Sequence, residues 1–208
     1  MAIKEYLQRE YGANSHIIAY GGDHAINVSK ENIDMYNLPA NYSFTVCRIE
    51  PENNIHIILE AFARMQSEPL IMVGNWNDSE YGRKLRSKYK HTKHTYMLDP
   101  IYNLGQLATL RANAKYYIHG HSAGGTNPSL VEAMHFGRPI IAYDCVFNRY
   151  TTEEKATYFN SIDSLANILR NPDYKELNKN SREMRKIARK KYTWELVAKQ
   201  YFELLNAV

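Results

Sequence analysis

Residues 119–141, HGHSAGGTNPSLVEAMHFGRPII, decide the fold. They predict the end of one strand, a glycine loop, a helix and the start of the next strand. The paired glycines permit an unusual backbone path, Asn127 can cap a helix, and Pro128 suits a first helical turn. The helix should end at Gly137, because glycine tolerates the left-handed conformation that closes many helices. This order of elements is typical of an α/β unit.

The rest of the chain repeats this alternation from Tyr42 onward. Short apolar runs and amphipathic segments alternate, which is the pattern of a parallel sheet covered on both faces. Apolar residues at helical period predict a helix over 53–66, and a similar period after Thr193 predicts a last amphipathic helix that docks on the domain. We predict an α/β fold, a single Rossmann-like domain with about six parallel strands. The predicted strands are YSFTVCRI, PLIMVG, HTYMLD, KYYIHG, RPIIAYD and, more weakly, ATYF.

Residues 1–24 do not share the alternating pattern of the rest of the chain. A short polar helix precedes the run HIIAY and the turn Gly21-Gly22-Asp23. We interpret residues 1–24 as an interdomain linker or the remnant of a missing N-terminal domain. Residues 25–208, including the last helix, are then the folded domain.

Composition and charge exclude some classes of protein. The 208 residues, 44% of them hydrophobic, suffice for one core. No apolar run approaches the roughly 20 residues of a bilayer span, so a cytoplasmic location is expected. Cys47 and Cys145 lack the spacing of a disulfide framework or a zinc site. The net charge of +4 decides little, and its largest cluster, within residues 182–191, should spread over a solvated helix face.

The predicted helix after the glycine loop is a candidate anion site. Free N–H groups and the helix dipole at its start favour a phosphate. Glu132 lies four residues after Pro128, so the two share a face and the carboxylate tilts back toward the open end. It can accept hydrogen bonds from a vicinal diol such as a ribose, which would place a nucleotide in the site. The alternative is an ordinary glutamate exposed to water.

Arg48 is a second candidate. It lies at the carboxyl end of the first predicted strand, where open α/β sheets bind ligands. There it can hold a diphosphate and stabilise charge that grows on this leaving group. Alternatively, Arg48 pairs with Glu50 or Glu52.

Two histidines near the glycine loop suggest no further chemistry. His119 and His121 alternate on an extended segment, and we expect them to face opposite ways. Neither has the partners of a metal site, and Ser122 beside His121 lacks the third member of a hydrolase triad. We therefore predict neither a metal site nor a serine hydrolase.

Several motifs in order give the chain a family resemblance. From about Tyr42 to Val208 it resembles the C-terminal domain of retaining GT-B glycosyltransferases of family GT4. The family has a strand that ends in Gly-Arg and leads to Pro-Glu-Lys, and CRIEPENNIHIILEAF is similar to it. The family's donor loop and Glu-Ala-Met helix are similar to GGTNPSLVEAMHFGRPII. Its last helix is similar to YTWELVAKQY. Residues 1–24, which end in IIAYGGD, resemble the family's interdomain segment.

The resemblance implies a donor-binding domain of a glycosyltransferase. Because no Asp-x-Asp metal motif occurs in the sequence, we expect transfer without a metal, and we expect no cofactor. Arg48 would be the catalytic residue that meets the donor diphosphate, and Glu132 would bind the ribose. The loop from Gly125 to Asn127 would bind phosphates and sugar. The implied donor-binding residues are Asn53, Gly74, Ile101, His121, Gly124, Gly125, Thr126, Asn127 and Glu132.

Two positions depart from the family pattern. Its diphosphate lysine falls on Asn53, which carries no charge, and the first glutamate of its Glu-x7-Glu pair falls on Gly124. The loop resembles those of a bacterial subgroup that includes rhamnosyltransferases, which implies dTDP-rhamnose as donor, with UDP-sugars next.

The resemblance also implies partners. They are a nucleotide sugar, a missing N-terminal acceptor-binding domain, and an acceptor glycan or lipid-linked glycan of surface polysaccharide, with no nucleic acid. The chain would be cytoplasmic or peripheral at the inner face of the membrane, and it would transfer sugar poorly without the N-terminal domain.

Two alternative functions stay open. A noncatalytic nucleotide-sugar sensor is favoured by Asn53 and Gly124, which stand where the family has charged residues. A nucleic-acid-binding protein is suggested by the basic charge and the 17 tyrosines, but these form no stacking pattern.

Overall fold

The computed structural model describes residues 2–65 and 67–206. In these ranges six strands form one parallel sheet in the order β3-β2-β1-β4-β5-β6. This confirms the predicted sheet of about six parallel strands, and each predicted apolar run contains one of them. The strands are β1 Ser43–Val46, β2 Leu70–Val73, β3 Thr95–Leu98, β4 Tyr116–His119, β5 Ile140–Tyr143 and β6 Thr157–Phe159.

Helices connect the strands. Short 3-10 turns at Asp23–Ala25, Asp34–Tyr36 and Pro51–Asn53 interrupt the loops. The α-helices are α1 Ala2–Tyr11, α2 Ile55–Met65, α3 Glu80–Tyr89, α4 Leu104–Asn113, α5 Pro128–His135, α6 Val146–Thr151, α7 Ile162–Arg170, α8 Tyr174–Lys191 and α9 Trp194–Asn206.

The sheet separates two hydrophobic clusters, one on each face. Alternate residues of a strand point to opposite faces, so Leu70 and Met72 join one cluster, whereas Ile71 and Val73 join the other. Helices α2, α3 and α7 cover the first face, and α4, α5 and α8 cover the second. Burial on both faces explains why the strands are almost continuously apolar.

The strand order reverses between β1 and β4. The chain builds β1, β2 and β3 outward to one side and then returns to place β4 beside β1. In open α/β sheets, ligands bind in the crevice outside the carboxyl ends of the strands at such a switch point. The loops after β1 and β4 border this crevice.

The last helix differs from its prediction. Thr193 Oγ1 accepts a hydrogen bond from Leu196 N at 3.3 Å, which confirms the predicted cap. Val197 is buried, but Tyr201 and Leu205 are 53% and 75% exposed. Docking was therefore predicted correctly only for the first turn, and beyond it Tyr201 lines a cavity whose wall α1 shares.

The structure also describes the two cysteines and the hydropathy of the helices. Cys47 and Cys145 are free thiols, each partly buried. Among residues 2–65 and 67–206, no helix has both the length and the hydropathy needed to cross a bilayer.

Candidate functional site

The predicted site residues lie on loops at one edge of the sheet. Arg48 follows β1, Gly74 follows β2, Ile101 follows β3 and His121 follows β4, each within three residues of its strand. Because the strands are parallel, their carboxyl ends open at the same edge. The fold thus brings together positions that are far apart in sequence.

Hydrogen bonds join the loops after β1 and β4. Asn53 is 5% exposed and donates from Nδ2 to the Arg48 carbonyl at 2.7 Å. Its Oδ1 lies 2.8 Å from His121 Nδ1. Asn54 Nδ2 donates to the Gly120 carbonyl at 2.8 Å. Asn53, which the resemblance aligns with a charged lysine of the family, thus joins the two loops through neutral hydrogen bonds.

The close approach of these loops depends on Gly120, and Gly120→Ala is expected to destabilise the protein. A Cβ at this position would overlap the Asn53 carbonyl oxygen. Relief of the clash should lower the free energy of unfolding by about 1–3 kcal/mol, measurable by urea denaturation. The control is Gly125→Ala, where the nearest atom is Ile3 Cδ1 at 3.5 Å and the change should stay within about 0.5 kcal/mol. Equal losses in the two variants would contradict the tight contact.

Gly74 has a similar packing role. A Cβ there would lie 2.5 Å from Ile49 Cδ1 and 2.6 Å from the Cys47 carbonyl oxygen. The lack of a side chain at Gly74 is thus explained by the close packing of the segments that follow β1 and β2. Ile101 is partly buried and packs against the cluster that α4 and α5 cover.

The contacts of Asn53 determine the hydrogen position on His121. Because Asn53 Nδ2 donates to a carbonyl, its Oδ1 accepts, and His121 Nδ1 must carry the hydrogen. His121 Nε2 is then an acceptor in the neutral ring and a donor in the charged one. It faces the glycine loop, since a Cβ on Gly124 would lie 3.8 Å from Nε2. Partial burial lowers the pKa of His121; Arg48 adds to this shift, and Glu52 opposes it.

The expected orientation of the two histidines was wrong. The ring centroids of His119 and His121 are 6.1 Å apart. Residues two apart in an extended chain point to the same face, which is why the rings meet. Burial lowers the pKa of His119 to about 3, so this ring stays neutral. Within the described ranges no group of three or more His, Cys, Asp or Glu side chains is arranged to hold a metal ion.

The start of α5 confirms its predicted cap but not its free N–H groups. Asn127 Oδ1 accepts from Ser129 N at 3.0 Å, and the Asn127 carbonyl accepts from Leu130 N and Val131 N. Pro128 has no N–H. The first helical turn therefore has no unused donor, because its own cap satisfies each one.

Unused donors lie instead in the loop before the helix. In the part of the chain that the structure describes, the N–H groups of Gly124, Gly125, Thr126 and Asn127 donate no hydrogen bond. Gly124 has a φ of +98°, so a glutamate in this conformation would be strained. Four successive N–H groups beside a helix start are suited to an anion. Gly137, with a φ of +60°, ends α5 as predicted.

Glu132 is not an ordinary glutamate exposed to water. Its side chain is 18% exposed, Oε2 accepts from Arg111 Nη2, and Oε1 lies 3.3 Å from His24 Nε2. Trp194 Nε1 donates to His24 Nδ1 at 2.9 Å, so the hydrogen of the neutral His24 ring is on Nε2 and points at Glu132. The carboxylate is fixed from two sides, and each oxygen retains acceptor capacity for a ligand.

Arg111 and His24 were not among the predicted site residues. Arg111 is 5% exposed on α4, and its Nε has no hydrogen-bond partner among the described residues. One signal was available: an arginine within the largely apolar run LGQLATLRAN requires a buried anion. The sequence did not show that the anion would be Glu132.

Arg48 is exposed, and its alternative partners are not engaged. No ion pair with Glu50 or Glu52 occurs in residues 2–65 and 67–206. The Arg48 guanidinium can therefore approach an anionic ligand without first breaking a salt bridge.

A cavity of about 560 Å³ adjoins the glycine loop. Gly125 and Thr126 form part of its wall, and α6, α9, α1 and residues 15–20 form the rest. Its lining is mainly apolar and aromatic, with Tyr20, Tyr150 and Trp194 among the side chains. Its shape therefore depends on α1 and on residues 15–20.

A family model identifies the family of this chain. The model for glycosyl transferases group 1 matches residues 7–191. The chain therefore belongs to that family, whose members have the GT-B fold. No curated protein sequence matches the chain.

Solved structures support the assignment of the fold. Sucrose-phosphate synthase from Thermosynechococcus elongatus is 20% identical, with a TM-score of 0.74 over 98% of this chain and 55% of that one. The C-terminal domain of a glycosyl transferase group 1 family protein (LpcC) from Francisella tularensis is 15% identical, with a TM-score of 0.63 over 85% of this chain and 97% of that domain.

A third structure was solved with ligands. The pneumococcal O-GlcNAc transferase GtfA, in complex with UDP and GlcNAc, is 14% identical, with a TM-score of 0.65 over 99% of this chain and 43% of that one. The chain thus spans about half the length of such enzymes and has the fold of the C-terminal domain of a GT-B glycosyltransferase.

Proposed function

We propose that this chain binds the nucleoside-diphosphate sugar donor of a glycosyltransferase at the carboxyl edge of its sheet. The observation that carries the proposal is the loop Gly124–Asn127, whose four N–H groups have no partner among the described residues. Exposed Arg48 lies on the loop that Asn53 and His121 tie to this segment. Glu132, on the helix after the loop, is held by Arg111 and His24, and in the proposed complex its oxygens accept hydrogen bonds from a ribose diol.

In the proposed complex each group has one task. The loop N–H groups and Arg48 hold the diphosphate and stabilise the charge that develops as it leaves. Asn53, Gly74 and Ile101 shape the donor pocket, and Thr126 and Asn127 approach the sugar. We infer a metal-independent, retaining transfer, with dTDP-rhamnose as the first donor to test and UDP-sugars next. The presence of UDP in the GtfA structure supports including uridine nucleotides.

We further propose that transfer requires an acceptor-binding domain outside residues 1–208. The short coverage of related enzymes, 55% and 43%, supports this. The acceptor would be a glycan or lipid-linked glycan of surface polysaccharide, and the enzyme would act in the cytoplasm or at the inner face of the membrane. The missing domain would also exclude water from the cleft, so this chain alone should transfer sugar poorly.

Calorimetric titration with UDP, dTDP, GDP and their sugar conjugates tests the donor proposal. We expect one base to bind with clearly higher affinity than the others. Binding of none of them, by this chain and by a protein that includes the acceptor domain, would refute the donor site. A noncatalytic sensor is the second candidate. It is favoured by Asn53, an uncharged residue that links the two loops by hydrogen bonds. It would be indicated if the longer protein binds the nucleotide sugar but transfers nothing to any acceptor.

Donor binding is expected to strengthen as the pH falls from about 8 to about 6. The pKa of His121 is lowered in the free protein, so the ring is neutral at pH 7. A diphosphate facing Nε2 would favour the charged ring, so the complex takes up a proton. The extra affinity is fully present below the free-state pKa and is lost as pH rises through the pKa of the complex.

A sugar nucleotide is the right ligand for this titration, because a free nucleoside diphosphate has a terminal phosphate that itself titrates near pH 6. Calorimetry in two buffers of different ionisation enthalpy would measure the proton uptake. His121→Gln should flatten the profile, since glutamine cannot take the charge. An unchanged profile in this variant would show that His121 does not meet the phosphates.

A further inference from the structure

Five basic residues on α8 lie on one face of the helix. They recur at the spacing i, i+3, i+4, i+7 and i+8, and all are exposed around a shallow depression beside Gly137. We call this set the basic face of α8. It consists of Arg182, Arg185, Lys186, Arg189 and Lys190.

The basic face has little neutralising charge around it. Among the ion pairs of the described residues none involves a member of the basic face, whereas Lys179 and Lys191 pair with Glu176 and Glu153. Glu183 is on the other flank of the helix, beside Glu154 and Lys155. The positive charges are therefore presented to solvent without acidic partners.

Among the described residues only one member of the basic face makes a hydrogen bond to the rest of the fold. Arg185 Nη2 donates to the Phe136 carbonyl at 2.9 Å at the end of α5, where a cation also complements the helix dipole. Each of the other four basic residues has another basic residue three or four positions away on the helix, and such pairs of like charge destabilise an isolated helix. Arg189 and Lys190 lie in the last turn of α8 and gain from the C-terminal end of its dipole, but Arg182 and Lys186 are too far from that end.

We infer that the basic face of α8 docks on a bilayer that contains anionic phospholipid. From Arg182 to Lys190 the face extends about 12 Å along the helix axis, so one small anion cannot contact all four free side chains. An array of several anions can, and clustered Lys and Arg on a helix face are suited to anionic headgroups. The choice of a bilayer over a nucleic acid rests on the proposed function, because one of its two proposed acceptor classes, a lipid-linked glycan, lies at a membrane. It also rests on the lining of the depression, which has no aromatic side chain on which bases could stack.

Vesicle co-sedimentation tests this inference. The chain should bind phosphatidylcholine vesicles that contain phosphatidylglycerol, should not bind pure phosphatidylcholine vesicles, and should be released by salt. The variant Arg182→Gln, Lys186→Gln, Arg189→Gln, Lys190→Gln should bind at least about tenfold more weakly. Arg185 is left unchanged because its side chain donates a hydrogen bond to the Phe136 carbonyl at the end of α5.

A matched control removes the same charge elsewhere. Lys30, Lys90, Lys93 and Arg170 are exposed, and their substitution by glutamine should reduce binding much less than the α8 variant does. Equal losses in the two variants, or no binding of the unmodified chain to anionic vesicles, would overturn the inference. So would tighter binding to random duplex DNA than to these vesicles at the same salt concentration.

The two proposals can fail separately. The α8 variant should bind the nucleotide as tightly as the unmodified chain, because no member of the basic face belongs to the donor site. Loss of vesicle binding with intact nucleotide binding would support both proposals. Should the variant unfold, the salt dependence of vesicle binding by the unmodified chain decides the question, since a salt-insensitive interaction would exclude a charge-driven one.

Discussion

Glu132→Ala is expected to lower the free energy of unfolding by about 3–5 kcal/mol and to abolish nucleotide binding. The variant leaves Arg111 as a buried cation with no partner, because Glu132 is its carboxylate and its Nε already lacks a hydrogen bond among the described residues. The ribose would lose its acceptor at the same time. Urea denaturation measures the first effect and calorimetry the second.

A double variant separates these two effects. Arg111→Met with Glu132→Leu replaces the ion pair by apolar side chains of similar volume, which often restores stability. We expect it to recover most of the loss seen in Glu132→Ala and still to bind no nucleotide. If the double variant binds nucleotide normally, Glu132 is only a structural partner of Arg111, and the ribose contact is wrong.

Arg48→Ala is expected to weaken nucleotide binding by roughly 10- to 150-fold without changing stability. Hydrogen bonds to charged groups contribute about 1.5–3 kcal/mol, and Arg48 would make such bonds to the diphosphate. Because Arg48 is exposed and makes no salt bridge in the described ranges, the free energy of unfolding should change by less than about 0.5 kcal/mol. Calorimetry with the best-bound sugar nucleotide gives the affinity, and urea denaturation gives the stability.

Two further variants sharpen the test of Arg48. Arg48→Lys keeps the charge but loses the paired N–H groups, so it should recover only part of the affinity. Arg170→Ala removes an exposed arginine from α7, on another part of the surface, and should leave the affinity unchanged. If Arg170→Ala weakens binding as much as Arg48→Ala does, the effect is a general one of net charge.

The fold could be predicted almost completely because its signals are local. Each strand is an apolar run of a few residues, and the cap at Asn127, the proline after it and the glycine at 137 determine where α5 begins and ends. Helix α9 shows the limit of such signals. Its apolar period was predicted correctly, but periodicity does not say what a helix packs against, and only Val197 is buried.

The site could be predicted less completely because its contacts join distant segments. His24, Arg111 and Glu132 come from three parts of the chain, and no spacing connects them. The anion donors were expected in the first turn of α5. The cap that makes this helix start so recognisable also uses its N–H groups, and the unused donors are in the preceding loop.

The most direct test of the donor site is an amide NMR titration of this chain with its best-bound nucleotide. We predict the largest shifts at the N–H groups of Gly124, Gly125, Thr126 and Asn127, with smaller ones around Arg48. These shifts should be absent from Glu132→Ala. Shifts confined to the cavity between α1 and α9, with the loop amides unchanged, would contradict the proposed diphosphate site.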